Sequence, residues 1–156
     1  MAPVDARQAG VNRPALVEAF AGFPDRLAGA ARAAADRPGT PGEWTPAEVV
    51  RHLIAVEDEV WQSRLARLAA EDRPHWPWTE PGLAPGFDGR PLDDVLAAFA
   101  DARAATAATV RALDEAGWVR SGTHDTYGVL DVEGLLRIAI DHDGDHLAGL
   151  GRPGAG

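Results

Sequence analysis

An all-α four-helix bundle is the fold class this sequence predicts, on three observations. Four segments carry apolar residues at helical spacing, the connections between them are rich in proline and glycine, and no stretch alternates as a strand does. At 156 residues the chain suits one domain, residues 1–156, large enough to bury a continuous core without disulfides, and it contains no cysteine.

The first helix is expected over about 13–35, "RPALVEAFAGFPDRLAGAARAAA", with Pro14 near its first turn and Pro24 kinking or interrupting the run. The second is expected over about 45–71. Thr45 is a good N-cap, Pro46 suits the first helical position and Glu48 completes a capping box. Residues 73–91, "RPHWPWTEPGLAPGFDGRP", read as a long connection. An alanine-rich third helix follows over about 92–115, then the irregular "GWVRSGTHDTYGVLD", then a fourth helix over about 132–150 capped by Asp131. Residues 151–156, "GRPGAG", read as a flexible tail. Because the long connection allows helices 2 and 3 to run parallel, a crossover topology stands beside simple up-and-down.

The net charge of −9, with no basic run, argues against nucleic acid and against anionic membranes, both of which require clustered positive charge. With no leader-like segment and no apolar run long enough to span a bilayer, a cytoplasmic protein is the default expectation.

Chemistry concentrates in "DHDGDHLAGL", residues 141–150. On a wheel of about 100° per residue, His142 and His146 fall in the same apolar stripe as Leu135, Leu136, Ala139, Leu147 and Leu150. Glu133, Arg137, Asp141 and Asp145 fall on the opposite side, and Gly144 lies outward. Asp143 lies inside the stripe, where a carboxylate needs a partner. Residues four apart stack on one helix face, so the two histidines can offer two nitrogens to one ion. They can equally be core histidines satisfied by backbone or carboxylate groups. On helix 2, Val49, Leu53, Val56 and Val60 share a face with His52 at its border and Glu57 within it. Glu57 has two readings: the partner of an inward arginine such as Arg64, or an acceptor that orients a ligand histidine.

These segments together resemble the DinB-like superfamily of four-helix proteins, described as metal-dependent hydrolases. The resemblance lies in "GEWTPAEVVRHLIAVEDEVW" (42–61), "GTHDTYGVLDVEGLL" (122–136) and "IAIDHDGDHLAGL" (138–150). They match a Trp-Ser/Thr-Pro-x-Glu opening before a helix 2 histidine, a Gly-x-His-x-x-x-Gly loop, and a His-Asp-x-x-His-Leu helix end. The resemblance implies an up-down-down-up bundle and a three-histidine site for a divalent metal, typically zinc or nickel, carried over to His52, His142 and His146. His124 matches the loop histidine, read as structural or as lining the mouth of the site, and His75 matches nothing and is expected to be exposed. Gly144 and Asp145 depart from the commoner pattern of a bulkier or basic residue followed by an acid.

Three neutral imidazoles leave positions on a divalent ion open to water, as in catalytic zinc sites. Such a site would support hydrolysis of a small-molecule substrate. Some members of the superfamily resemble transferases that use a low-molecular-weight thiol, which this cysteine-free chain would have to bind as a cofactor. A non-catalytic, stress-related metal-binding bundle is the third reading, and a homodimer is plausible from the family. Trp44 and Trp61, with Trp76, Trp78 and His124, are candidates to line a pocket, and Asp143 and Glu57 are candidates to support the ligands.

Overall fold

The computed structural model describes residues 6–152, so the tail from 153 onward lies outside the described residues. Two helices, α1 (Ala6–Ala21) and α2 (Phe23–Ala35), replace the single first helix. Pro14 sits inside α1 rather than in its first turn. The break falls at Gly22, and Pro24 occupies the first turn of α2, where its missing N–H is not needed.

The second rod is built from α3 (Pro46–Val56), a π-helical turn (Glu57–Gln62) and α4 (Ser63–Ala70). Its start is fixed by the capping box: Thr45 Oγ1 accepts from the Glu48 backbone N–H at 3.2 Å and Glu48 returns the bond to Thr45 N at 3.0 Å. The third rod, α5 (Leu92–Arg111), stops short of residue 115. Asp114 ends the run by starting a new helix, α6 (Glu115–Val119), accepting from Gly117 N at 2.8 Å. The fourth rod is α7 (Val132–Leu150), whose N-cap Asp131 accepts from Gly134 N at 2.8 Å. On α7 Glu133 is not outward: it is buried and paired with Arg137 at 2.9 Å.

A small sheet interrupts the all-helical expectation. Strands β1 (His75–Trp76), β2 (Ser121–His124) and β3 (Gly128–Asp131) pair in that order, β1 parallel to β2 and β2 antiparallel to β3. Trp76 and His124 are register partners, so both side chains stand on the inner face, as does Gly122. A Cβ on Gly122 would lie 2.5 Å from the Trp76 ring and 2.6 Å from the Pro74 carbonyl, so only glycine fits beneath that ring.

The direction of each rod follows from its side-chain pairs. Arg103 reaches Glu57 and Thr106 reaches Gln62, so the second and third rods run parallel. Arg32 pairs with Asp93 while Glu18 pairs with Arg111, so the first rod opposes the third. Val17 and Phe20 pack with Leu136 and Ala139, and Leu27 and Ala31 with Leu150, so the first and fourth run together. The result is a four-helix bundle of up-down-down-up order. Its core has two apolar clusters, one around Phe20, Val60, Trp61 and Leu136 and the other around Phe23, Leu53, Phe99 and Leu150. On α5 and α7, the buried Arg103 and Asp143 fall between the members of the two clusters.

Candidate metal centre

His52 comes from the middle of α3, and His142 and His146 from successive turns of α7. One nitrogen of each lies within 4.8 Å of the other two. The ring centroids are 4.6 Å apart for His142 and His146, 5.1 Å for His52 and His146, and 6.1 Å for His52 and His142. Expected at the border of its helix face, His52 is in fact buried.

The proline-rich connection has a local task here. The Gly82 carbonyl lies 3.1 Å from His52 Nδ1, and since a carbonyl only accepts, Nδ1 carries the hydrogen and Nε2 keeps its lone pair. Arg51 anchors the same connection by donating to the Ala84 carbonyl at 3.0 Å and pairing with Asp88 at 3.1 Å. His142 Nδ1 is buried with no hydrogen-bond partner. Burial, with the neighbouring His146 and His52, pushes the His142 imidazole down to about 4. Burial also lowers His146, with His52 adding to it. Neutral rings with uncommitted lone pairs are the donor set a borderline divalent cation takes, and three of them leave coordination positions open.

The Trp44 ring lies 4.8 Å from His52 and the buried Trp61 ring stands edge-on, 6.1 Å from His142. A cavity of about 830 Å³ reaches His146 between walls that include Ala34, Pro38, Trp44, Val49 and Asp145.

Asp143 and Glu57 are both buried, but neither supports a histidine. Arg103, 1% exposed, takes both. Its Nε donates to the two Glu57 oxygens at 3.0 Å, its two terminal nitrogens donate to Asp143 at 2.8 and 3.0 Å, and one of them also donates to the Phe20 carbonyl at 2.9 Å. The inward-arginine reading of Glu57 therefore holds with Arg103 in place of Arg64. Burial raises both carboxyls, and Arg103 pulls them back. Arg103 was legible as the one charged residue in the buried α5 series Val95, Phe99, Arg103, Val110.

Two other histidines stay apart from this group. His75 is exposed on β1 and pairs with Asp125 at 2.5 Å. His124 is 1% exposed on β2, against the rings of Tyr127 at 4.8 Å and Trp78 at 6.3 Å. Its Nδ1 accepts from the backbone N–H groups of Thr126 and Tyr127 at 2.9 and 3.3 Å, which puts the ring hydrogen on Nε2. Arg64 is 6% exposed, with its guanidinium 5.7 Å from the Trp61 ring and 5.9 Å from the Trp76 ring. Cation–π contacts of this kind contribute about 0.5–2 kcal/mol each, less than burying an arginine without an anion costs.

Comparison with known proteins agrees with this architecture. No curated protein matches the chain. YfiT from Bacillus subtilis, described as a probable metal-dependent hydrolase with an unusual four-helix bundle topology, superposes with a TM-score of 0.69 at 19% identity, over 95% of this chain and 86% of that one. At that identity the likeness establishes the fold. A family model described as the DinB superfamily matches residues 12–149, and the chain therefore belongs to the DinB superfamily.

Proposed function

We propose that this protein is a divalent-metal-dependent hydrolase of a small molecule, with His52, His142 and His146 as the metal ligands. The observation that carries the proposal is the convergence of three imidazole nitrogens from two helices within 4.8 Å, two of the rings held neutral by burial. The description of YfiT as a probable metal-dependent hydrolase supports the same reading. Zinc and nickel both suit three nitrogens. A divalent cation so held supplies Lewis-acid polarisation of a carbonyl and a water acidic enough to react near neutral pH.

The chain's own residues do the rest. Gly82 fixes the tautomer of His52, and Trp61 excludes water from one side of His142. Trp44 walls the cavity through which a substrate reaches His146. The alanine, proline and valine lining suits a compact, partly apolar molecule.

The test is a panel of small esters and amides offered to protein stripped with a chelator and then reloaded with zinc or nickel. Turnover that requires the ion and vanishes in His146→Ala is the expected result. Turnover appearing only with an added low-molecular-weight thiol would move the reading to thiol transfer, and equal turnover by stripped protein would contradict it.

A further inference from the structure

A second group of polar side chains lies beyond Trp61 from the histidines, and every member of it is a donor. Arg64 follows Trp61 by one helical turn and is 6% exposed, its guanidinium resting against the Trp61 and Trp76 rings with its nitrogens still open to solvent and no protein anion paired with it among the described residues. The Nε1 hydrogen of Trp76 is buried without a partner, and so is His124 Nε2, which carries the ring hydrogen because Nδ1 is occupied as an acceptor. Trp76 and His124 share one face of the sheet as register partners, and Arg64 stands 5.9 Å from the Trp76 ring.

Buried polar groups in folded proteins are almost always paired, because leaving a donor without an acceptor forfeits its hydration. The contrast with Arg103 is direct. There the bundle supplies two carboxylates and a carbonyl to one guanidinium. Around Trp76 and His124 it leaves two buried donors without a protein acceptor, and beside them stands the Arg64 guanidinium, open to solvent and paired with no carboxylate among the described residues. A ligand that satisfies such a set is an oxyanion.

We propose that Arg64, Trp76 and His124 form an anion-binding site, separate from the histidine centre, that takes the carboxylate of a small organic acid. A carboxylate matches the set better than phosphate does. One cation balances one negative charge, and the guanidinium fork presents two parallel N–H groups to two oxygens in a plane. The half-exposed rings of Trp78 and Tyr127 beside His124 supply an apolar rim for the rest of such a molecule. The site uses none of the three proposed metal ligands, so it stands or falls independently of the metal.

The experiment is a titration of the folded, ¹⁵N-labelled protein with sodium acetate, sodium benzoate and sodium phosphate against sodium chloride at matched ionic strength and pH, read at the tryptophan indole N–H signals. The expected result is a saturable shift of the Trp76 signal with acetate or benzoate, no such shift of Trp44 or Trp118, and affinity weakened roughly tenfold or more in Arg64→Gln. The shift persists in His142→Ala. A Trp76 signal that responds to no oxyanion more than to chloride overturns the site, whether or not Arg64→Gln folds. Undiminished binding in folded Arg64→Gln, or loss of binding in folded His142→Ala, overturns it as well. A response to phosphate alone overturns the carboxylate assignment.

Discussion

His142 and Asp143 are neighbours on one helix and belong to opposite kinds of polar interior. Asp143 joins Glu57 and Arg103 in a closed network in which one guanidinium bonds two carboxylates and the Phe20 carbonyl. His142 joins His52 and His146 in an open one, with a buried Nδ1 that no protein group satisfies. The closed network ties all four rods together, Phe20 from the first, Glu57 from the second, Arg103 from the third and Asp143 from the fourth. The open cluster adjoins a cavity. Satisfaction, rather than burial, separates the polar groups that hold the bundle from those left open.

The largest expected effect falls on the closed network. Arg103→Met leaves Glu57 and Asp143 buried without their cation and should cost about 3–5 kcal/mol, read as a lower denaturant midpoint. A loss below about 1 kcal/mol would erase the contrast between the two networks. His142→Ala should do the reverse. It should leave folding nearly intact while lowering zinc or nickel affinity, measured by calorimetry, by more than the roughly 10–100-fold that loss of a supporting partner costs. His75→Ala should leave that affinity unchanged.

The same histidine also predicts a pH dependence. Its pKa drops from 6.5 to about 4 on folding, so between those values the unfolded chain binds more protons than the folded one. Stability of the metal-free protein should therefore fall as pH is lowered from about 6.5 towards 4, and His142→Ala should flatten that slope in urea titrations.

Smaller effects separate crowded from open glycines. Gly122→Ala must displace the Trp76 ring or the Pro74 carbonyl, and should destabilise by about 1–3 kcal/mol. A Cβ on Gly144, on the exposed side of α7, meets nothing within 4 Å, so Gly144→Ala should stabilise by up to about 1 kcal/mol. Thermal melts of the two variants should move in opposite directions.

What the sequence discloses and what it hides divide along the range of the interactions. The caps of α3 and α7 act within one turn, and Thr45 with Glu48 and Asp131 are legible on sight. Helical periodicity likewise places His142, Asp143 and His146 on the inward face. The choice of Arg103 over Arg64 as partner of Glu57 depends on the register between parallel helices, and nothing local sets it. The π-helical turn that carries Glu57 and Trp61 leaves the apolar pattern almost unchanged, so a wheel at constant pitch passes over it. The sheet is hidden for another reason. Its strands are two and four residues long, and the pairing of Trp76 with His124 joins distant segments, too short a pattern to alternate visibly.

Whether histidines from two helices serve one ion is decided by the metal content per chain of tag-free protein, measured by plasma mass spectrometry. After reconstitution and desalting, the parent should hold near-stoichiometric zinc or nickel, and His52→Ala and His142→Ala should each lose it. If the parent holds none, or if His52→Ala keeps its metal, the three-histidine centre is contradicted.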